Sequence, residues 1–133
     1  MLVKDFMTSM IITADVEALV VDAAKLMAVE NVGSLIVTRD EVLAGMVTRR
    51  DIIAAQLLSD EVFHTLTLGD IMETPVVAIS PSVELWQAVS LMNQTGRTHI
   101  PVMEGNEITG VISSSDVIRA LATLKLLATG ADE

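Results

Sequence analysis

Apolar positions along the chain follow two spacings, and each predicts an element. Between Leu19 and Glu30, Val20, Ala23, Ala24 and Met27 recur at the interval of one helix face. Leu85, Ala88, Val89 and Met92 repeat that pattern later. Short apolar runs predict strands at Ser34–Val37 and Val42–Val47, joined by the polar tip Arg39-Asp40-Glu41. A second pair is predicted at His99–Val102 and Ile108–Ile112, turning at Gly105-Asn106. Met10–Thr13 and Pro75–Ile79 read as further strands, each preceded by a helical turn at 4–8 or 69–73. Thr48 and Ser113 are placed as N-caps of a closing helix in each half. Pro101, which has no N–H to give a ladder, predicts an edge or a strand end.

The order strand, helix, strand, strand, helix thus occurs twice. Displacing the chain by 65 residues lays Asp5 on Asp70, Met7 on Met72, Ala23 on Ala88, Gly45 on Gly110 and Asp51 on Asp116, without a gap. The expected division is repeat 1 at 1–58, a connector at 59–67, and repeat 2 at 68–133 with a C-terminal helix. A unit of about 55 residues buries little apolar surface by itself. The expected fold is therefore α/β (α+β): two pseudo-twofold-related β-α-β-β-α repeats packed sheet to sheet around one shared core.

Composition narrows the chemistry. Of 133 residues 51% are apolar, which supplies a core, yet Trp86, Phe6 and Phe63 are the only aromatics, so aliphatic side chains and Met must build it. The chain has no Cys, which removes disulfides and thiolate metal sites and fits a reducing, cytoplasmic setting. Eighteen acidic residues against eight Lys and Arg give a net charge of −10, a poor balance for gripping nucleic acid phosphates. Every apolar run is too short to span a membrane, and the N-terminus has no signal-peptide pattern. Catalytic signatures are lacking too. Gly105–Gly110 has the glycine spacing of a phosphate loop, but Val111-Ile112 stand where Lys and Ser/Thr are needed. His64 and His99 lie in different contexts, and no nucleophile elbow surrounds Ser113. No enzyme activity is expected, and no cofactor is required.

The repeated Gly-x-x-Thr/Ser-x-x-Asp string has a chemistry of its own. Thr48 and Ser113 end a strand and open a helix, where free backbone N–H groups and the helix dipole favour an anion. One turn on, Asp51 or Asp116 can accept the two hydroxyls of a ribose, while Gly45 and Gly110 permit close backbone approach. The same residues also suit plain helix capping. Three segments in the first half, Asp-Phe-Met-Thr (5–8), Asn-Val-Gly-Ser-Leu-Ile-Val (31–37) and Gly-Met-Val-Thr-Arg-Arg-Asp-Ile (45–52), resemble a cystathionine-β-synthase (CBS) domain. So do Asp-Ile-Met-Glu-Thr-Pro-Val-Val (70–77), His-Ile-Pro-Val (99–102) and Gly-Val-Ile-Ser-Ser-Ser-Asp-Val (110–117). Tandem CBS repeats form a Bateman module, which commonly binds adenosine-containing ligands and regulates a partner.

The resemblance implies two ligand sites. One combines Val111, Ser113, Ser115 and Asp116 with Met10, Ile12, Gly33 and Ser34. The other combines Met46, Thr48, Arg50 and Asp51 with Pro75, Val77, Arg97, Thr98 and His99. Ile12 and Val77 are expected against the adenine. Arg49, Arg50, Arg97 and His99 all fall to the Asp51 site, which should prefer AMP, ADP or ATP; the Asp116 site should be weaker or take S-adenosylmethionine. Val21 and Trp86 widen the helical apolar stripes and are expected in a homodimer interface, extended by the run from Leu121 to Leu127. Three functions stay open: a nucleotide sensor acting on a regulated protein, an interaction module with no sensing role, and a divalent-cation sensor.

Overall fold

The computed structural model describes residues 1–129. Its elements are α1 (Val3–Phe6), β1 (Thr13–Asp15), α2 (Val20–Glu30), β2 (Ser34–Arg39), β3 (Val42–Thr48), α3 (Arg49–Gln56), α4 (Asp60–Phe63), α5 (Leu68–Ile71), α6 (Leu85–Thr95), β4 (His99–Glu104), β5 (Glu107–Ser113) and α7 (Ser114–Thr129). The mixed α+β order of the two repeats follows the sequence pattern. The 65-residue offset extends to backbone detail. β2–β3 and β4–β5 are antiparallel hairpins whose register shifts at Val37/Thr38 and at Val102/Met103. Both hairpin turns use positive φ, at Asp40 and Glu41 in one and at Gly105 in the other.

The chain divides into two compact units: Ile11–Val77, the central unit, and Met1–Met10 with the chain from Ala78 onward, the terminal unit. Each unit therefore includes a short helix drawn from the other sequence repeat. Four residues make no stable helix in isolation, so α1 and α5 are held by what they bury. Val3 and Leu68, equivalent in the repeat, are both 0% exposed. Val3 lies in a cluster with Leu85, Ala88, Ile100, Val102, Ile112 and Ala120. Leu68 lies with Val20, Met27, Leu35, Val47, Ile52 and Phe63. The supporting hydrogen bonds match as well: Val3 N–H donates to Val83 O at 3.0 Å, and Leu68 N–H to Ala18 O at 2.9 Å. The 59–67 connector contributes α4, which brings Phe63 into the central unit's core.

The opening strands depart from expectation. Instead of residues 10–13, the first strand is Thr13–Asp15, parallel to β2 through Thr13↔Ile36, Ala14↔Val37 and Asp15↔Thr38. Pro75–Ile79 forms no strand, and a single parallel bridge, Ile79↔Val102, marks where Ala14↔Val37 stands in the other half. Proline chemistry explains the loss. Ile36 N–H donates to Ile12 O at 3.0 Å, but its equivalent is Pro101, which has no N–H. β4–β5 is accordingly a two-stranded sheet, with Pro101 on an edge strand.

Candidate functional site

The candidate sites are the two corners where β3 runs into α3 and β5 into α7. In the central unit Thr48, 8% exposed, ends β3 at the core edge. Asp51 Oδ2 accepts from Thr48 N–H at 2.8 Å and from Thr48 Oγ1 at 3.1 Å, while Asp51 N–H lies 3.4 Å from Thr48 Oγ1. This reciprocal capping box fixes the carboxylate one turn inside the helix. Asp51 is half-buried. In the terminal unit Ser113 N–H donates to Asp116 Oδ2 at 2.8 Å, and Asp116 N–H to Ser113 Oγ at 3.2 Å. Asp116 goes deeper: it is 1% exposed, and its Oδ1 accepts from Thr8 Oγ1 at 3.4 Å and pairs with the guanidinium Nη2 of Arg119.

The exchanged segments wall these corners. Thr8 and Val111 bridge with both bonds made, Thr8 N–H to Val111 O at 2.9 Å and Val111 N–H to Thr8 O at 3.0 Å. Glu73, the equivalent of Thr8, bridges Met46 in the same way. The glycines are thereby explained differently than expected. A Cβ on Gly110 would stand 2.7 Å from Thr8 O and 2.9 Å from Met7 Sδ; one on Gly45 would stand 2.7 Å from Met72 Sδ and 3.0 Å from Glu73 O. The close approach is made by the protein's own backbone.

Other expected residues fall into place by unit. Ile12, Gly33, Ser34, Met46, Thr48, Arg50, Asp51, Pro75 and Val77 belong to the central unit, and Met10, Arg97, Thr98, His99, Val111, Ser113, Ser115 and Asp116 to the terminal one. Gly33-Ser34 adjoins the Thr48 corner of its own repeat: Gly33 O accepts from Arg49 N–H at 3.2 Å, and Ser34 pairs with Thr48. Thr98-His99 likewise adjoins Ser113, with Thr98 O accepting from Ser114 N–H at 2.9 Å and His99 opposite Ser113. Each turn sits beside its own repeat's corner because β2 and β4 begin where β3 and β5 end. Arg49 reaches Asn31 Oδ1 at 3.4 Å on the helical side, beside a cavity of about 250 Å³ lined by Ala24, Met27, Ala28, Ile52 and Ile53.

Sequence reasoning missed Thr8 and Arg119. Arg119 stands three residues after Asp116 on one helix face, a readable spacing. Thr8 lies 108 residues from Asp116, and only the segment exchange joins them. Val21 is half-buried against the core, whereas Trp86 at its equivalent position is 66% exposed. Among the described residues no group of three or more His, Asp or Glu is arranged to hold a metal ion, and no helix is long and apolar enough to cross a membrane.

The family model for the CBS domain matches twice, over residues 3–58 and 68–123. The chain is a tandem CBS-domain protein. Its CBS repeats are 31% identical over 115 residues to the CBS domain-containing protein YhcV of Bacillus subtilis, covering 86% of this chain and 81% of YhcV. They are 33% identical over 107 residues to the mitochondrial CBS domain-containing protein CBSX3 of Arabidopsis thaliana, covering 77% of this chain and about half, 52%, of that longer protein. The solved CBS domain pair of protein MJ0100, in complex with 5′-methylthioadenosine and S-adenosyl-L-methionine, superposes with a TM-score of 0.82. At 23% identity, over 92% of this chain and 97% of that one, it shows a shared fold.

Proposed function

We propose that this CBS pair is a regulatory module that binds adenosine-containing ligands at its two corners and passes occupancy on to a partner protein. The observation that carries the reading is the duplicated box, Thr48 with Asp51 and Ser113 with Asp116. Each presents a fixed carboxylate and a hydroxyl at a helix entrance. A carboxylate so placed accepts the two ribose hydroxyls, and the helix entrance tolerates a phosphate. AMP, ADP and ATP are the leading ligands. S-adenosylmethionine is the second reading, favoured by the ligands of the MJ0100 pair. The role is regulatory rather than catalytic, and cytoplasmic. Trp86 and Val89 on α6, with Leu121 and Leu124 on α7, offer exposed apolar surface for a second copy of the chain.

Thermal unfolding tests the reading. Ligand-stripped protein is heated with AMP, ADP, ATP, NAD or S-adenosylmethionine, beside Asp51→Ala and Asp116→Ala, each compared with its own ligand-free midpoint. A ligand at about 100 times its Kd stabilises the folded state by about 2.7 kcal/mol, a shift of several degrees. A shift with an adenosyl ligand that is lost in one aspartate variant supports the module. No shift with any of the five overturns it.

A further inference from the structure

We propose that Arg119 determines the specificity of the Asp116 corner, making it select phosphorylated nucleosides over neutral ones, a role for which the Asp51 corner has Ala54 at the equivalent position. The inference rests on the adenosine reading above and goes beyond it. With Asp116 1% exposed, its carboxylate is already shared between Ser113 N–H, the Thr8 hydroxyl and the Arg119 guanidinium. A ribose that donates its hydroxyls to Asp116 must compete with that guanidinium. A neutral nucleoside displaces it and gives it nothing in return. A phosphorylated one brings an anion of its own, so the guanidinium passes from carboxylate to phosphate, where charge-assisted and bidentate contacts are strong. Arg119 is built for the exchange: its side chain is 67% exposed, on a long flexible stem, three residues from Asp116 on the same helix.

The central unit lacks this device. Ala54 stands at the position equivalent to Arg119, and Glu73 at that of Thr8, so a cation and a hydroxyl in one unit are matched by a methyl and a carboxylate in the other.

The test is calorimetric titration of the full chain with AMP and with adenosine. An Asp51→Asn background isolates the Asp116 corner, with Arg119 either kept or replaced by Gln. With Arg119 present, AMP should bind about tenfold tighter than adenosine; Arg119→Gln should bring the two within about threefold, as adenosine gains and AMP loses. The reciprocal chain, Ala54→Arg on an Asp116→Asn background, should acquire the AMP preference, and unchanged far-UV circular dichroism shows that each variant is folded. An AMP-to-adenosine ratio indifferent to Arg119 overturns the proposal while leaving the adenosine reading intact. So does loss of all binding in Asp51→Asn where the wild-type chain binds. A wild-type chain that binds neither probe overturns both.

Discussion

A methyl group at Gly110 has nowhere to go, because its nearest neighbour is the Thr8 carbonyl oxygen at 2.7 Å, held in a two-bond bridge. At Gly45 the nearest atom is the Sδ of Met72, the end of a flexible side chain. Gly110→Ala should therefore cost more than Gly45→Ala, about 1–3 kcal/mol against less than about 1. Urea denaturation checks this through the two midpoints; equal midpoints would mean that the Thr8 segment yields as easily as Met72. Legibility at this scale was uneven. Thr48, Asp51, Ser113 and Asp116 could be read because capping chemistry is local, three residues from end to end. Thr8 could not be read, since its role depends on a partner 108 residues away. The glycines were recognised as sites of close approach, while the groups that approach them, Thr8 O and Glu73 O among them, could not be read: sequence spacing shows that room is needed, not what fills it.

Elements follow the same division between local and distant causes. Helices α2 and α6 and both hairpins could be read because their apolar periodicity and turn residues act within a few positions. The short opening strand depended on an N–H offered by another strand, so Pro101 removed it from one repeat while Ile36 kept it in the other. Helices α1 and α5 each have one buried residue, Val3 and Leu68. Leu68→Ala should lower stability by about 2–5 kcal/mol, and Val3→Ala by about 2. Amide hydrogen exchange gives the sharper reading: protection should fall first at Met72, whose N–H donates to Leu68 O at 2.9 Å, and at Glu73. Uniform loss of protection across the central unit would show that α5 does not open separately. Thr48→Ala, which removes the side-chain half of a capping box, should cost about 1 kcal/mol and leave α2 protection unchanged.

For the whole molecule, charge and exposed apolar surface set the expectations. A net charge of −10 repels itself most at low ionic strength. Raising salt from about 0.01 M to about 0.15 M shortens the screening length from about 30 Å to about 8 Å, so the urea midpoint should rise; a fall would mean that attractive pairs outweigh the repulsion. The repeat and the fold class were legible at this scale from the 65-residue offset. The units were not, because the offset shows which segments are equivalent and is silent on which partner each one takes. If α6 carries the contact between copies, the emission of Trp86, the sole tryptophan, should shift to the blue as concentration rises. A constant spectrum beside a growing mass would place the contact elsewhere. The exchanged segments also bear on the order in which the protein is made. Residues 11–77 are contiguous, so the central unit has all its parts once they leave the ribosome. Val3 and Thr8 emerge earlier still, yet their partners Ile112 and Asp116 follow more than 100 residues behind them. The first ten residues must wait, undocked, until those partners are made, so the terminal unit closes after the central one.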